Sequence, residues 1–303
     1  MASDAVATGN AIRTEQLVGA LQRAGHFISQ TWLDPSENRH ADAFHSRDEL
    51  SATIISKRPD AILVSYWELL ELLPFDLPQP VIVDFVAPRP LEVLFEHPER
   101  VRPELQRLQS NLSKCDVILT GNQSQRNLLW FTLLNAGFDL RDCDPVLVVP
   151  LSAEPAGRPE SDPRTDGWIL VSGGVHWPWR NSDDYWQAIQ DMGRQSNSGA
   201  PRLVLFGGPY RWQEKNAGEG KSETEHQDSG KTVSRDTFAD PYQTEELAPY
   251  SQFSRFLLDS AHIGLEVAQA NIERTYSQSF RSLEFLRHGL SLIHISEPTR
   301  LQV

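Results

Sequence analysis

Short apolar runs without polar alternation recur along this chain, and the residues between them carry helical patterns. Ala61–Val64 (AILV), Val81–Val83 (VIV) and Val117–Leu119 (VIL) are such runs. A strand with one wet face alternates apolar and polar residues, whereas a continuous run marks a strand buried on both faces, as in a parallel sheet covered by helices. Between them, PERVRPELQRLQSNLSK (98–114) reads as a polar helix and SQRNLLWFTLLNAG (124–137) as an amphipathic helix closed by Gly137. Upstream, TEQLVGALQRAG (14–25) places Leu17, Ala20, Leu21 and Ala24 at helical spacing, with Thr14 as cap and Gly25 as terminator; His26-Phe27-Ile28 is predicted to open a strand. The rhythm predicts a doubly wound α/β layer with right-handed crossovers.

A second layer follows. DPVLVVP (144–150) reads as the last strand of the first, and the Pro/Gly-rich polar stretch within 151–167 as a linker. WILVSGG (168–174) and RLVLFGG (202–208) are near-repeats, each an apolar run ending in two glycines. Asn181-Ser182-Asp183-Asp184 reads as a helix start, and residues 216–237, with one valine and no aromatic, as an exposed loop. SQFSRFLLDSA (251–261) is predicted helical, AHIGLEVA (261–268) a strand, and ERTYSQSFRSLEFLRHG (273–289) one helix ending at Gly289. Two domains suit 303 residues, because single cores stop growing at about 250–300.

A net charge of −13 disfavours nucleic acid as a partner, since polyanion affinity comes from cations that displace counterions. With 39% hydrophobic and 23% charged residues the composition is that of a globular chain. No run reaches the roughly 18 apolar residues of a membrane span. The opening MASDAVATGNAIRTEQL lacks the basic start and apolar centre of a secretory signal, so a cytoplasmic location is expected, with peripheral membrane association left open. Cys115 and Cys143 form no metal-binding motif and are read as small buried thiols; no metal site is expected.

In open α/β sheets ligands sit beyond the carboxyl ends of strands, where the next helix offers free N–H groups to phosphate. WILVSGGVHWPWRN (168–181) places Gly173 and Gly174 there, with His176, Trp177 and Trp179 as walls and Arg180 and Asn181 at the helix entry. A plain tight turn with tryptophans packing between domains fits the same spacing. ATGNAIRTEQL (7–17) likewise puts Gly9 and Arg13 at a helix start. Two such layers predict a cleft enzyme for a nucleotide or sugar phosphate. Neither glycine stretch matches GxGxxG or GxxxxGK[ST], which argues against dehydrogenases and P-loop enzymes.

ATGNAIRTEQLVGALQRAGH (7–26) resembles the opening of glycosyltransferases of the two-Rossmann GT-B fold, which read G-x-x-x-R and then a helix ending in G-H. SGGVHWPWRN (172–181) is similar to that superfamily's GGVF-x-PWQ-P variant, and NIERTYSQSFRSLEFLRHGL (271–290) to its N-x-E-R…R-x-x-E-x-L-x-x-GLPV stretch. The resemblance spans residues 5–290 and implies transfer of a hexose from a nucleotide-diphosphate sugar to a glycan or lipid-linked acceptor in cell-surface polysaccharide assembly. No tightly bound cofactor and no metal is implied.

Carried over residue by residue, Gly173 and Gly174 would lie against the donor diphosphate beside Trp179 and Asn181, and Glu284 would hold the ribose. Glu273, Arg274 and Arg281 would approach the sugar or pyrophosphate, and Gly9 and Arg13 would be the N-terminal contribution. Glu273, Asp84 and His176 are the catalytic candidates. Plainer roles stay open: an i,i+3 ion pair for Arg281 with Glu284, a helix cap for Glu273, a strand-end cap for Asp84.

The resemblance implies a fold of two Rossmann-like doubly wound parallel-sheet domains: an acceptor-side domain over 1–150, a linker over 151–167 and a nucleotide-sugar domain over 168–290. Three departures qualify it. Tyr276 stands eight before Glu284, where many retaining members have a glutamate; only eight residues precede Gly9, so the first strand is expected to be truncated; and after Leu290 the family's Pro-Val is missing. SLIHISEPTRLQV (291–303) resembles a translated sequencing adapter, so these residues are expected to be non-native, the second sheet incomplete and transfer poor. A non-catalytic sugar-nucleotide or partner-binding protein, and an epimerase or phosphorylase of the same architecture, are the alternatives.

Overall fold

A computed structural model describes residues 9–34, 42–157, 168–175, 177, 202–208, 242–245, 249–267 and 270–295. The chain divides into two compact units: an N-terminal unit of Thr8–Ser152 with Ile272–Gln278, and a C-terminal unit built on Ala153–Asn271 and Ser279–Val303.

In the N-terminal unit, α1 (Gly9–Arg23) leads to a separate parallel pair, β1 (Trp32–Leu33) and β2 (Ala43–Phe44), and to α2 (Arg47–Lys57). Then come β3 (Ile62–Val64), a 3-10 turn over Trp67–Leu72, β4 (Val81–Phe85), α3 (Arg89–Glu96), α4 (Val101–Leu112), β5 (Val117–Thr120), α5 (Gln123–Asn135) and β6 (Val146–Val148). The main sheet has the order β3-β4-β5-β6, all parallel, with Val83 opposite Ile118 and Ile118 opposite Val146. Strands that follow chain order in one direction need a crossover between each pair, and the buried helix residues Leu108, Leu112, Leu129 and Leu133 join Val83, Phe85, Ile118 and Val146 in one core. The Asn122 side chain accepts the Gln125 amide at 2.8 Å and so starts α5.

The C-terminal unit holds β7 (Ile169–Val175), β8 (Arg202–Gly208), β9 (Tyr242–Glu245), α6 (Tyr250–Asp259) and β10 (Ile263–Val267). The chain next supplies α7 (Ile272–Tyr276) to the N-terminal unit, then returns with α8 (Phe280–Arg287) and β11 (Ser291–Ile295). The sheet order is β11-β10-β7-β8-β9, all parallel. Growth runs from β7 to β9 on one side and then restarts from β10 on the other. The order therefore reverses between β7 and β10, the kind of crevice in which open α/β sheets bind ligands.

Residue alternation gives this sheet two apolar faces. Val171, Val204 and Phe206 pack with Leu257 of α6 and Phe285 of α8, while Leu203, Leu265 and Val267 form a cluster with Leu170, Leu205 and Ile263. Phe285 is fully buried, and Gly264 lies so close beneath it that an added Cβ would overlap Cγ and Cδ2 of its ring. Gly264→Ala is therefore expected to lower stability by about 1–3 kcal/mol, since neither a central strand nor a buried ring can yield. Urea denaturation followed by tryptophan fluorescence checks this; an unchanged midpoint contradicts it.

Several expectations are corrected. Residues 26–28 form no strand: Phe27 is 95% exposed, and pairing begins at Trp32. Helix α1 starts at Gly9, and the Thr14 hydroxyl donates to the Asn10 carbonyl inside it rather than capping its start. The single helix expected over 273–289 is two, because Ser277-Gln278-Ser279 interrupts it and Ser279 caps the second. Cys143 is exposed; Cys115 is half-buried and its thiol is pushed up to about 12 by burial. Helix α3 and strand β9 had no counterpart in the sequence reading, and the expected loop 216–237 and helix start at 181–184 lie outside the described residues. Residues 291–295, within the stretch expected to be non-native, pair with β10 as β11.

Candidate functional site

The crevice at the strand-order reversal is built from the ends of β7 and β10 and the start of α8. Gly174 near the end of β7 has φ +113, a conformation suited to glycine, and an ideal Cβ there would lie 2.5 Å from Nη2 of Arg281. The guanidinium thus lies directly on backbone that a side chain would cover. The start of α8, which carries Arg281, is anchored by its neighbours. Ser279 Oγ accepts the Ser282 amide at 3.1 Å as the cap of α8 and donates to Oε2 of Glu266 at 2.7 Å; Ser282 Oγ donates to the same oxygen at 3.3 Å. Glu266, in β10, is fully buried. Its carboxylate anchors the first turn of α8 to one strand while Arg281 reaches back over the other. The helix start already has a carboxylate at its positive end, so a bound anion here would draw on Arg281 and the β7 backbone.

One turn on, Glu284 is 4% exposed. Its Oε2 accepts from the Tyr250 hydroxyl at 2.7 Å, and its Oε1 lies 3.5 Å from Nη1 of Arg287, which also donates to the Tyr250 oxygen at 2.9 Å. Burial, and then the neighbouring Glu284 charge, push the Tyr250 hydroxyl pKa up. Glu284 thus has partners other than the i,i+3 pair considered for Arg281. His288 Nδ1 is 2.7 Å from the Glu284 carbonyl, and its Nε2 is 2.7 Å from Ser254 Oγ; with Nδ1 donating, the hydroxyl donates to Nε2 and ties α8 to α6.

Gly173 packs differently from Gly174. It is buried, and an added Cβ would meet the Phe253 ring at 3.0 Å and the Phe206 carbonyl at 3.3 Å. Its missing side chain makes room for α6, so of the two glycines Gly174 is the one beside a cation. His176, Trp179 and Asn181 lie outside the described residues.

In the N-terminal unit Arg13 and Asp84 meet. Arg13 Nε donates to both Asp84 oxygens, at 2.9 and 2.7 Å, and Nη2 donates to the Val149 carbonyl at 2.9 Å. Arg13 is 2% exposed and Asp84 is fully buried. Burial pushes the Asp84 carboxyl up, and the Arg13 guanidinium pulls it back. The pair ties α1 to the carboxyl ends of β4 and β6. Asp84 therefore pairs with a distant arginine instead of capping the next segment. Gly9 is half-buried at the start of α1.

Glu273 and Arg274 sit on α7, Glu273 buried and Arg274 half-buried. After α7, Gln278 packs on Gly121 and its Nε2 donates to that carbonyl at 2.6 Å. Glu273 adds to the acidic field around Glu92, which with Glu96 is paired to Arg89 at 3.0 and 2.7 Å. Burial, and after the Arg89 offset the charges of Glu273 and Glu96, push Glu92 up to about 6. A carboxyl whose folded pKa lies above its unfolded one stabilises fully below the unfolded value, and that stability is lost as pH rises through the folded one. From pH 4.5 to 7 the wild type is expected to lose on the order of 2 kcal/mol relative to Glu92→Gln. Thermal melts of both proteins across that range check it; parallel curves contradict it.

The residues not foreseen are Glu266, Ser279 and Ser282, which anchor α8, and Tyr250 and Arg287, which hold Glu284. Ser279 directly before Phe280 was a readable cap signal.

No family model and no curated protein matches the sequence. Solved structures do match. A trehalose-6-phosphate synthase is similar at 12% identity and TM-score 0.52, over 82% of this chain and 60% of that one. An alpha,alpha-trehalose-phosphate synthase (UDP-forming) from Burkholderia xenovorans, in complex with glucose-6-phosphate, is 11% identical with TM-score 0.52 over 82% of this chain and 62% of its own. An alpha-glucosyltransferase in complex with UDP-glucose and DNA containing an abasic site is 12% identical with TM-score 0.52, over 97% of this chain and 77% of that one. The chain spans about three fifths of the length of the trehalose-phosphate synthases. Two parallel α/β sheets, the second reversing its order beside Gly174, together with these likenesses, give the chain the GT-B fold.

Proposed function

We propose that the chain is the greater part of a hexosyltransferase that takes its sugar from a nucleotide-diphosphate donor. The observation that carries this reading is the Arg281 guanidinium lying on the half-buried backbone of Gly174 at the strand-order reversal. The difficult part of glycosyl transfer is the charge left on the departing diphosphate, and a fixed cation beside bare backbone answers that need. In this reading Arg281 and the Gly174 backbone hold the diphosphate and Glu284 accepts from the ribose hydroxyls. The C-terminal unit is the donor domain and the N-terminal unit the acceptor domain, with a glycan or lipid-linked acceptor. The net charge of −13 argues against nucleic acid as that acceptor. Among the described residues no helix is long and apolar enough to cross a membrane; we place the protein in the cytoplasm, where sugar nucleotides are made.

Titration with UDP-glucose and GDP-mannose, with product analysis, tests the proposal. Binding with slow release of free hexose supports transfer. Binding without turnover points to a sugar-nucleotide sensor, a sugar nucleotide of altered configuration to an epimerase, and absence of binding to either donor contradicts the reading.

A further inference from the structure

We infer that Tyr250 is a positioning residue that orients the Glu284 carboxylate toward a donor ribose; the inference rests on the ribose role proposed for Glu284. Tyr250 is the first residue of α6 and Glu284 lies in α8, so their hydrogen bond joins two helices. A phenol has one proton to give. With an Arg287 N–H donated to the Tyr250 oxygen at 2.9 Å, that proton is directed to Glu284 Oε2 at 2.7 Å. Arg287 also lies 3.5 Å from Oε1. The carboxylate is thus approached by a donor on one oxygen and a cation near the other, in a setting where it is only 4% exposed.

An ionised carboxylate only accepts, and each of its oxygens keeps lone pairs for further donors. Two vicinal hydroxyls present such donors at a fixed separation, so affinity for them depends on the carboxylate plane being set beforehand. Tyr250→Phe keeps the ring and removes the proton that sets the plane. A purely structural role would change stability and weaken all ligands alike. A positioning role weakens only ligands that carry ribose hydroxyls.

The experiment is calorimetric titration of wild type and Tyr250→Phe with UDP and GDP and with their 2′,3′-dideoxy counterparts. The wild type is expected to prefer the ribose form of its nucleotide by about 10–100-fold, and Tyr250→Phe to cut that ratio by about 3–10-fold with little change for the dideoxy form. Should Tyr250→Phe fail to fold, Arg287→Lys, which removes the planar donor to the phenol, is expected to shift the ratio the same way. An unchanged ratio in a protein that binds the ribose form better overturns the role of Tyr250 alone. A wild type indifferent to the hydroxyls overturns it together with the ribose role of Glu284. A wild type that binds neither nucleotide overturns both and the proposed function as well.

Discussion

Arg13→Ala is expected to destabilise the N-terminal unit by about 3–5 kcal/mol, because it leaves the fully buried Asp84 carboxylate without its cation and the Val149 carbonyl without its donor. The cost arises from the charge left behind. Replacing both partners by apolar residues of similar volume, Arg13→Met with Asp84→Leu, is therefore expected to recover most of the loss. Urea denaturation of the single and double variants decides between the two cases. A single variant within about 0.5 kcal/mol of wild type would show that water reaches Asp84 and that the pair does not hold α1 to the sheet.

Arg281→Ala is expected to weaken nucleotide-diphosphate binding by roughly 10–150-fold, the loss of one or two charge-assisted hydrogen bonds to phosphate. Global stability should stay nearly constant, since Arg281 is half-buried and α8 is held by Phe285, Ser279 and His288. Gly174→Ala should lower the same affinity by another route. Its Cβ would displace the guanidinium, and φ +113 would strain the strand end by about 1–2 kcal/mol. Arg281→Lys keeps the charge but not the planar fork, and so should fall between wild type and alanine. Equal affinities across the series would remove Arg281 from the site.

The strands were legible where burial on both faces leaves an unbroken apolar run: Ile62–Val64, Val81–Phe85, Val117–Thr120, Ile169–Val175 and Arg202–Gly208 all stand at or around such runs. Strand β9, YQTE, carries no such signal; among the described residues it is the edge of its sheet, with β8 as its neighbour. Helix α1 hid its start, since Thr14 reads as a cap yet bonds back to Asn10 within the helix. The break between α7 and α8 was missed because Ser277-Gln278-Ser279 sits between two stretches of good helical spacing, and periodicity there outweighed a cap signal.

Within the candidate site, residue types could be read but partners could not. Arg13 and Asp84 were separate candidates, and their pairing across 71 positions depends on the order of strands in the sheet. Gly173 and Gly174 were one motif; φ and the neighbouring ring separate a packing glycine from one under a guanidinium. Glu266 is the charged residue of the GLEV run, and only the return of the chain through Ser279 and Ser282 explains a buried carboxylate there.

In the proposed site Arg281, seated on Gly174, grips the diphosphate of a sugar donor. Calorimetric comparison of UDP and GDP with UMP and GMP, in wild type and in Arg281→Ala, tests it most directly. The wild type is expected to bind one nucleoside diphosphate at least about tenfold more tightly than its monophosphate, and Arg281→Ala to erase most of that difference. A preference that survives in Arg281→Ala, or a wild type that binds mono- and diphosphate equally, would contradict it.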